Sequence, residues 1–200
     1  MKSTSQARSK PGDIPAITHL VRNYSHPRSL GSFKPACVFL LLYEKDGELR
    51  LPAILKADNH GYPWANQVAL PGGHIDDQDE SPEHTAFREL EEEMGITRSH
   101  VEFMGPLGHF QTLMNTEIQV FTGIWDNRET IRYDRSEIAR VIDIPLNHLL
   151  TTHFKAGLSG RSPGWDELLY PVEDLVIWGV TAKIIHYFIE LVYGNKVVNL

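Results

Sequence analysis

Residues 71–96, PGGHIDDQDESPEHTAFRELEEEMGI, place a proline–glycine turn, an acidic loop and a helical run in one short stretch. Ser81 is a natural N-cap, Pro82 suits the first helical position, and Gly95 suits the residue just past the end. At roughly 100° per helical residue, Glu89, Glu92 and Glu93 share about 100° of arc while Glu91 points away. Carboxylates crowded on one face repel one another unless cations sit between them. Hard divalent ions prefer such oxygen ligands and commonly share them with phosphate. An ordinary solvated acidic face is the plain alternative.

Reading outward, Arg88-Glu89-Leu90-Glu91-Glu92-Glu93-Met94-Gly95-Ile96 has the form R-E-U-x-E-E-x-G-U, with U apolar, and Glu80 stands eight residues before Arg88. The glycine expected six residues before Glu80 is displaced to Gly73, and His74 takes its place. This pattern resembles the Nudix box. The longer loop, together with Ile177-Trp178-Gly179-Val180-Thr181-Ala182 near the C-terminus, resembles the coenzyme A pyrophosphatase branch of the Nudix hydrolase superfamily. The resemblance covers roughly residues 35–193 and implies a Nudix-type α/β/α sandwich with a mixed sheet. It implies Mg²⁺ or Mn²⁺ held by Glu89, Glu92 and Glu93, with the Gly73 carbonyl as a further ligand. Arg88 would lock a glutamate by a bidentate pair, and Glu80 would hold the loop. The general base is left open, with Glu117 and Glu137 as candidates.

The rest of the chain agrees with one α/β domain. At 200 residues, 22.7 kDa and 42% hydrophobic it has enough apolar surface for a core. A net charge of −7 argues against a nucleic-acid surface, which needs clustered basic residues. No apolar run reaches the roughly 18 residues of a membrane span, and the polar start lacks a signal peptide's apolar segment. Cys37, the single cysteine, sits in the run ACVFLLLY as a small buried hydrophobe, and a cytoplasmic setting fits. Residues 1–12 read as a disordered tail and 13–200 as the domain. Asp13 caps a short amphipathic helix through Val21. Strands are expected at 38–43, 49–55, 67–70, 101–111 and 118–125, with another extended stretch at 137–144. Leu175–Tyr193 reads as one long, largely buried helix. Strands, helix, strands and helix in that order make a layered α/β sandwich.

Candidate substrate contacts are Lys56, Tyr62, Trp64 and His74. Tyr62 and Trp64 would stack on an adenine or pack against the sheet. His74 would touch a phosphate or lie on the loop surface. Trp178 reads as core. The ten histidines form no His-x-x-x-His pair, and neither a P-loop nor a G-x-S-x-G elbow occurs. The coenzyme A signature has two arginines upstream of the PGG turn; aligned without gaps, these positions are Ala57 and Tyr62. Guanidinium groups clamp phosphates bidentately, so Lys56 is the nearest replacement, as a point charge. That predicts less than about tenfold discrimination between coenzyme A and its 3′-dephospho form. Three functions follow: cleavage of coenzyme A or an acyl-CoA to 3′,5′-ADP and 4′-phosphopantetheine; cleavage of ADP-ribose, a nucleotide sugar or a dinucleotide; or nucleotide sensing without turnover. The partner is a small nucleotide, and a homodimer is a family-level expectation.

Overall fold

Two apolar runs flank Asp46-Gly47, a dipeptide that accepts the left-handed backbone of a tight hairpin turn. The computed structural model describes residues 13–31, 33–58 and 64–194. In it the hairpin is β1 (Lys34–Lys45) and β2 (Glu48–Lys56), antiparallel, with Lys45 opposite Glu48. Asp46 and Gly47 take φ of 55° and 76°. Around this hairpin the described residues build a seven-stranded mixed sheet with β3 (Val68–Ala69), β4 (Gly72–His74), β5 (Val101–Gln111), β6 (Thr116–Trp125) and β7 (Ile138–Pro145). β1 runs parallel to β6, with Lys34 beside Thr116 and Tyr43 beside Trp125. The other pairings in this sheet are antiparallel.

Side chains alternate across a strand, so β1 divides its apolar residues between two cores. Leu40 and Leu42 pack with Val120, Ile184 and Phe188 beneath α1 (Ile14–Asn23) and α4 (Gly179–Tyr193). Phe39 and Leu41 pack with Phe87, Leu90 and Met94 of α2 (Pro82–Met94). Each such side chain contributes about 1.5–3 kcal/mol by leaving water. The result is the expected helix–sheet–helix sandwich. Asp13 caps α1 by accepting from Ala16 N–H at 3.1 Å, and Ser81 caps α2 by accepting from His84 N–H at 3.1 Å. Gly95 ends α2 at φ 68°. Cys37 is buried, and burial pushes its thiol up to about 12, which suits a packing group and not a nucleophile.

Two expectations need correction. Leu175–Tyr193 is not one helix, because β8 (Tyr170–Val172) and β9 (Leu175–Ile177) first pair as a hairpin, turning at Glu173 (φ 54°). Trp178 and Gly179 then redirect the chain, and α4 begins at Gly179. Trp178 is 47% exposed, so it is not core. A further helix, α3 (Leu146–Lys155), follows Pro145 with no side-chain cap to announce it. Among the described residues no helix is long and apolar enough to cross a membrane. The expected tail at 1–12 lies outside the described residues, as do Tyr62 and 195–200.

Candidate active site

The Pro71-Gly72-Gly73 turn sits where the edge of β1 and the end of α2 meet. Phe39 N–H donates to the Pro71 carbonyl at 2.8 Å, and β4 then pairs with Ala36–Val38. Gly72 has φ 150°, and a Cβ there would lie 2.6 Å from Val38 Cα, so only glycine lets the turn approach the strand this closely. At Gly73 a Cβ would overlap the Glu89 carboxylate, which makes Gly73 the floor on which Glu89 rests.

Glu93, expected among the metal ligands, is 6% exposed and doubly held. Lys56 Nζ lies 2.5 Å from its Oε1, and Gly72 N–H donates to its Oε2 at 2.7 Å. Burial raises its pKa; Lys56 and the Gly72 N–H oppose this, and the charge of Glu137 adds to it. Glu89 is also raised by burial, against the pull of Arg88. Glu92 is the outlier, with its side chain 59% exposed. Helical periodicity groups the three carboxylates, and the sheet then distinguishes them: two lie at the turn and one faces solvent.

Arg88 organises the loop, though not through the expected bidentate grip on a glutamate. Its fork closes on Asp79, Nε to Oδ1 at 3.1 Å and Nη2 to Oδ2 at 3.0 Å. Nη1 reaches Glu89 and Glu92, each at 2.9 Å. Asp79 also accepts from Asp76 N–H at 3.0 Å and the Thr85 hydroxyl at 2.9 Å. The Arg88 hydrogen bond, followed by these donors, holds its carboxyl far below the usual carboxylate range. Glu80, expected to hold the loop, is exposed and its carboxylate makes no hydrogen bond among the described residues. Asp79 replaces it because the inserted residue lies after position 79. The signal was present in the sequence: Asp79 stands six residues after Gly73, the spacing the box assigns to its glycine and first acid.

Lys56, Trp64 and His74 line one cavity of about 160 Å³, together with Gly72 and Gly73. Lys56 is already paired with Glu93, so it is not a spare cation for substrate. His74 Nδ1 lies 3.2 Å from the Pro35 carbonyl. Val180 and Thr181 of α4 also line it, contacts that sequence reasoning did not assign. Of the two candidate bases, Glu137 is exposed on the loop whose carbonyl accepts Ala57 N–H at 2.8 Å, near enough to raise Glu93. Glu117 does not line this cavity. Its buried carboxylate accepts from the Ser29 hydroxyl, Leu30 N–H at 2.9 Å and the Gln111 amide at 2.8 Å, and these donors outweigh the burial that would raise it. Glu117 thus acts as a strut outside the lining of the cavity at the turn.

The donor chemistry fits a hard divalent ion: all oxygens, with two carboxylates desolvated at a glycine turn. Among the described residues no three acidic, histidine or cysteine side chains converge as a finished cage. Arg88 and Lys56 supply the positive charge where the carboxylates meet.

The Nudix domain model matches residues 33–159, which contain the turn, α2 and the sheet just described. This chain belongs to the Nudix family. As a Nudix hydrolase it acts on pyrophosphate bonds, and Nudix hydrolases use divalent metal ions. It is similar to the uncharacterized Nudix hydrolase NudL of Yersinia enterocolitica, 32% identical over 134 residues, 66% of this chain and 69% of that protein. It is also similar to NudL of Yersinia pestis, 29% identical over 174 residues and 86% of each. Among solved structures, a MutT/nudix family protein from Enterococcus faecalis shares the fold with TM-score 0.52 and 16% identity, over 86% of this chain and 66% of that one.

Proposed function

We propose that this Nudix hydrolase cleaves the diphosphate of coenzyme A or an acyl-CoA. Water adds to one phosphorus, the P–O–P bond breaks, and 3′,5′-ADP and a 4′-phosphopantetheine leave as phosphate monoesters. One observation supports this substrate above others. Val180 and Thr181, from the C-terminal element that resembles the coenzyme A branch, line the same cavity as Gly72, Gly73 and His74. Two segments far apart in sequence thus share one space at the glycine turn. Its lining is mainly aliphatic, through Val38, Leu70, Ile118 and Ile184, with Trp64 alongside, suited to the uncharged body of a ligand whose phosphates lie at the turn.

Glu89, Glu92, Glu93 and the Gly73 carbonyl are the groups that would hold Mg²⁺ or Mn²⁺. Such an ion, when bound, polarises phosphoryl oxygens and makes its bound water a better nucleophile. Arg88 orients Glu89 and Glu92, and Asp79 fixes Arg88. Lys56 opposes the effect of burial on Glu93 and, with the Gly72 N–H, holds its carboxylate at the turn.

A second reading, cleavage of ADP-ribose or another nucleoside diphosphate derivative, is favoured by the lining itself. Among the described residues around this cavity, Lys56 is the only Lys or Arg, and Glu93 holds it. Initial rates with Mg²⁺ and with Mn²⁺ on coenzyme A, acetyl-CoA, ADP-ribose, a nucleotide sugar and a diadenosine polyphosphate separate the two. The expected result is a kcat/KM for coenzyme A or acetyl-CoA at least about tenfold above the rest, a difference of about 1.4 kcal/mol. A tenfold preference for ADP-ribose or a dinucleotide would sink the coenzyme A reading.

A further inference from the structure

Residues Pro27 to Leu30 cross the edge of the sheet and are fastened on both sides of Arg28. His109 N–H donates to the Pro27 carbonyl at 2.9 Å. Gly108, at φ 119°, admits Pro27 so closely that a Cβ would lie 2.7 Å from its Cδ. Beyond Arg28, Glu117 accepts from the Ser29 hydroxyl and from Leu30 N–H. The backbone of Arg28 is thereby fixed while its side chain is exposed and, among the described residues, enters no ion pair. Lys183 of α4 is half-buried with no carboxylate partner, its Nζ 5.2 Å from the Trp165 ring centroid. Burial lowers its pKa, the mark of an ammonium short of negative charge.

Arg28, His109, Gln111 and Lys183 line one cavity of about 320 Å³. The acid beside it is Glu117, already answered by Ser29, Leu30, Gln111 and, at 3.4 Å, His109 Nδ1. In a chain of net charge −7, two cations without acids on one cavity form a local positive field that suits an anion. Consecutive residues connect the lining of this cavity with that of the one at the turn. Gln111 and Lys183 line the first, Thr112 and Ile184 the second.

We propose that Arg28 and Lys183 form an anion subsite for a phosphate monoester carried on the nucleoside of the substrate, remote from the diphosphate that is cleaved. The subsite rests on the coenzyme A reading, in which that group is the 3′-phosphate. It supplies from α4 and the N-terminal segment the charge that Ala57 lacks and that Lys56 has committed to Glu93. Arginine offers a bidentate fork and lysine a point charge, and the two together fit a dianionic monoester better than a neutral hydroxyl.

Paired rates on coenzyme A and 3′-dephospho-CoA read the subsite directly. Wild type cleaves coenzyme A with kcat/KM at least about tenfold higher, the reverse of the expectation from sequence. Lys183→Gln and Arg28→Gln each bring that ratio to within about threefold, while Lys183→Arg keeps it. Calorimetric titration of the metal-free protein with 3′,5′-ADP and with 5′-AMP gives a second readout. Wild type binds the bisphosphate at least about tenfold tighter, and Lys183→Gln removes the difference. Equal losses on both substrates in Lys183→Gln, or equal binding of the two nucleotides by wild type, overturn the subsite. A wild type that prefers 3′,5′-ADP yet leaves coenzyme A uncleaved overturns the coenzyme A reading and leaves the subsite standing.

Discussion

Glu93 on α2 and Glu190 on α4 bury their carboxylates in closely similar settings. Each accepts one glycine N–H, from Gly72 at 2.7 Å and from Gly160 at 2.8 Å. Each meets one basic side chain, Lys56 at 2.5 Å and His153 at 2.7 Å. Their proton affinities nevertheless move in opposite directions. At Glu93 burial prevails, with Glu137 adding to it. At Glu190 burial is outweighed by His153, the Gly160 N–H and the further charge of His186. The difference lies in the company each acid keeps. Glu93 shares its end of α2 with Glu89 and Glu92, so its surroundings hold more acid than base. Glu190 sits between two imidazoles and pins the loop after α3 to α4. A buried carboxylate left short of positive charge can accept a cation, and one that is fully answered is a strut.

That contrast can be broken most readily at Glu93. Glu93→Gln keeps size and helix propensity but removes one ligand charge, so kcat should fall at least about 100-fold while the circular dichroism spectrum stays native. Near-normal turnover would remove Glu93 from the site. Glu190→Gln should do the opposite: denaturant unfolding should show a loss of about 2 kcal/mol, with kcat nearly unchanged where the protein is folded. Activity lost ahead of stability would mean that Glu190 is no strut.

Two smaller effects sharpen the comparison. Mg²⁺ or Mn²⁺ at ten times its Kd should add roughly 1.4 kcal/mol to stability by linkage, visible as a higher melting temperature. Glu89→Gln should blunt that rise and Glu190→Gln should not; indifference of the wild-type melt to both ions would contradict the metal site. The smallest effect is in pH. Glu89 is raised above its ordinary 4.5 chiefly by burial, so its ionisation cost is absent below that pH and grows as pH climbs through the folded value. Metal-free Glu89→Gln should therefore be more stable than wild type near neutrality, by under about 1 kcal/mol, with the gap closing toward about pH 4. Glu190 is depressed, so its contribution is present above 4.5 and fades as pH falls through its folded value. The deficit of Glu190→Gln should then shrink in acid, and identical pH profiles for the two variants would erase the distinction.

The sequence displayed what depends on near neighbours. Ser81, Pro82 and Gly95 bounded α2 because capping is local, and Asp46-Gly47 marked its hairpin because few residues accept that backbone. It concealed what depends on distant partners. The segment Leu175–Ile177 is a short apolar run, and such a run does not separate a strand from a helix; pairing with Tyr170–Val172 decides it. Lys56 read as a substrate contact because its partner, Glu93, comes from another element. Four acids crowd positions 76–80, and Arg88 selects Asp79 among them only once the loop is folded. The carboxylates of the box were legible as a group, whereas their division into buried and exposed members required the sheet.

The parallel pairing of β1 with β6 also sets an order in time. Lys34 lies beside Thr116, and the chain between them carries the glycine turn, α2 and β5. Bringing such distant strands together costs loop entropy before any contact repays it, so this pairing belongs to the late, slow part of folding. A chain emerging from synthesis has α2 well before it has β6. Lys56 and Gly72, the groups that hold Glu93, both lie in that intervening chain, so the partners of this carboxylate are all made before β6 is.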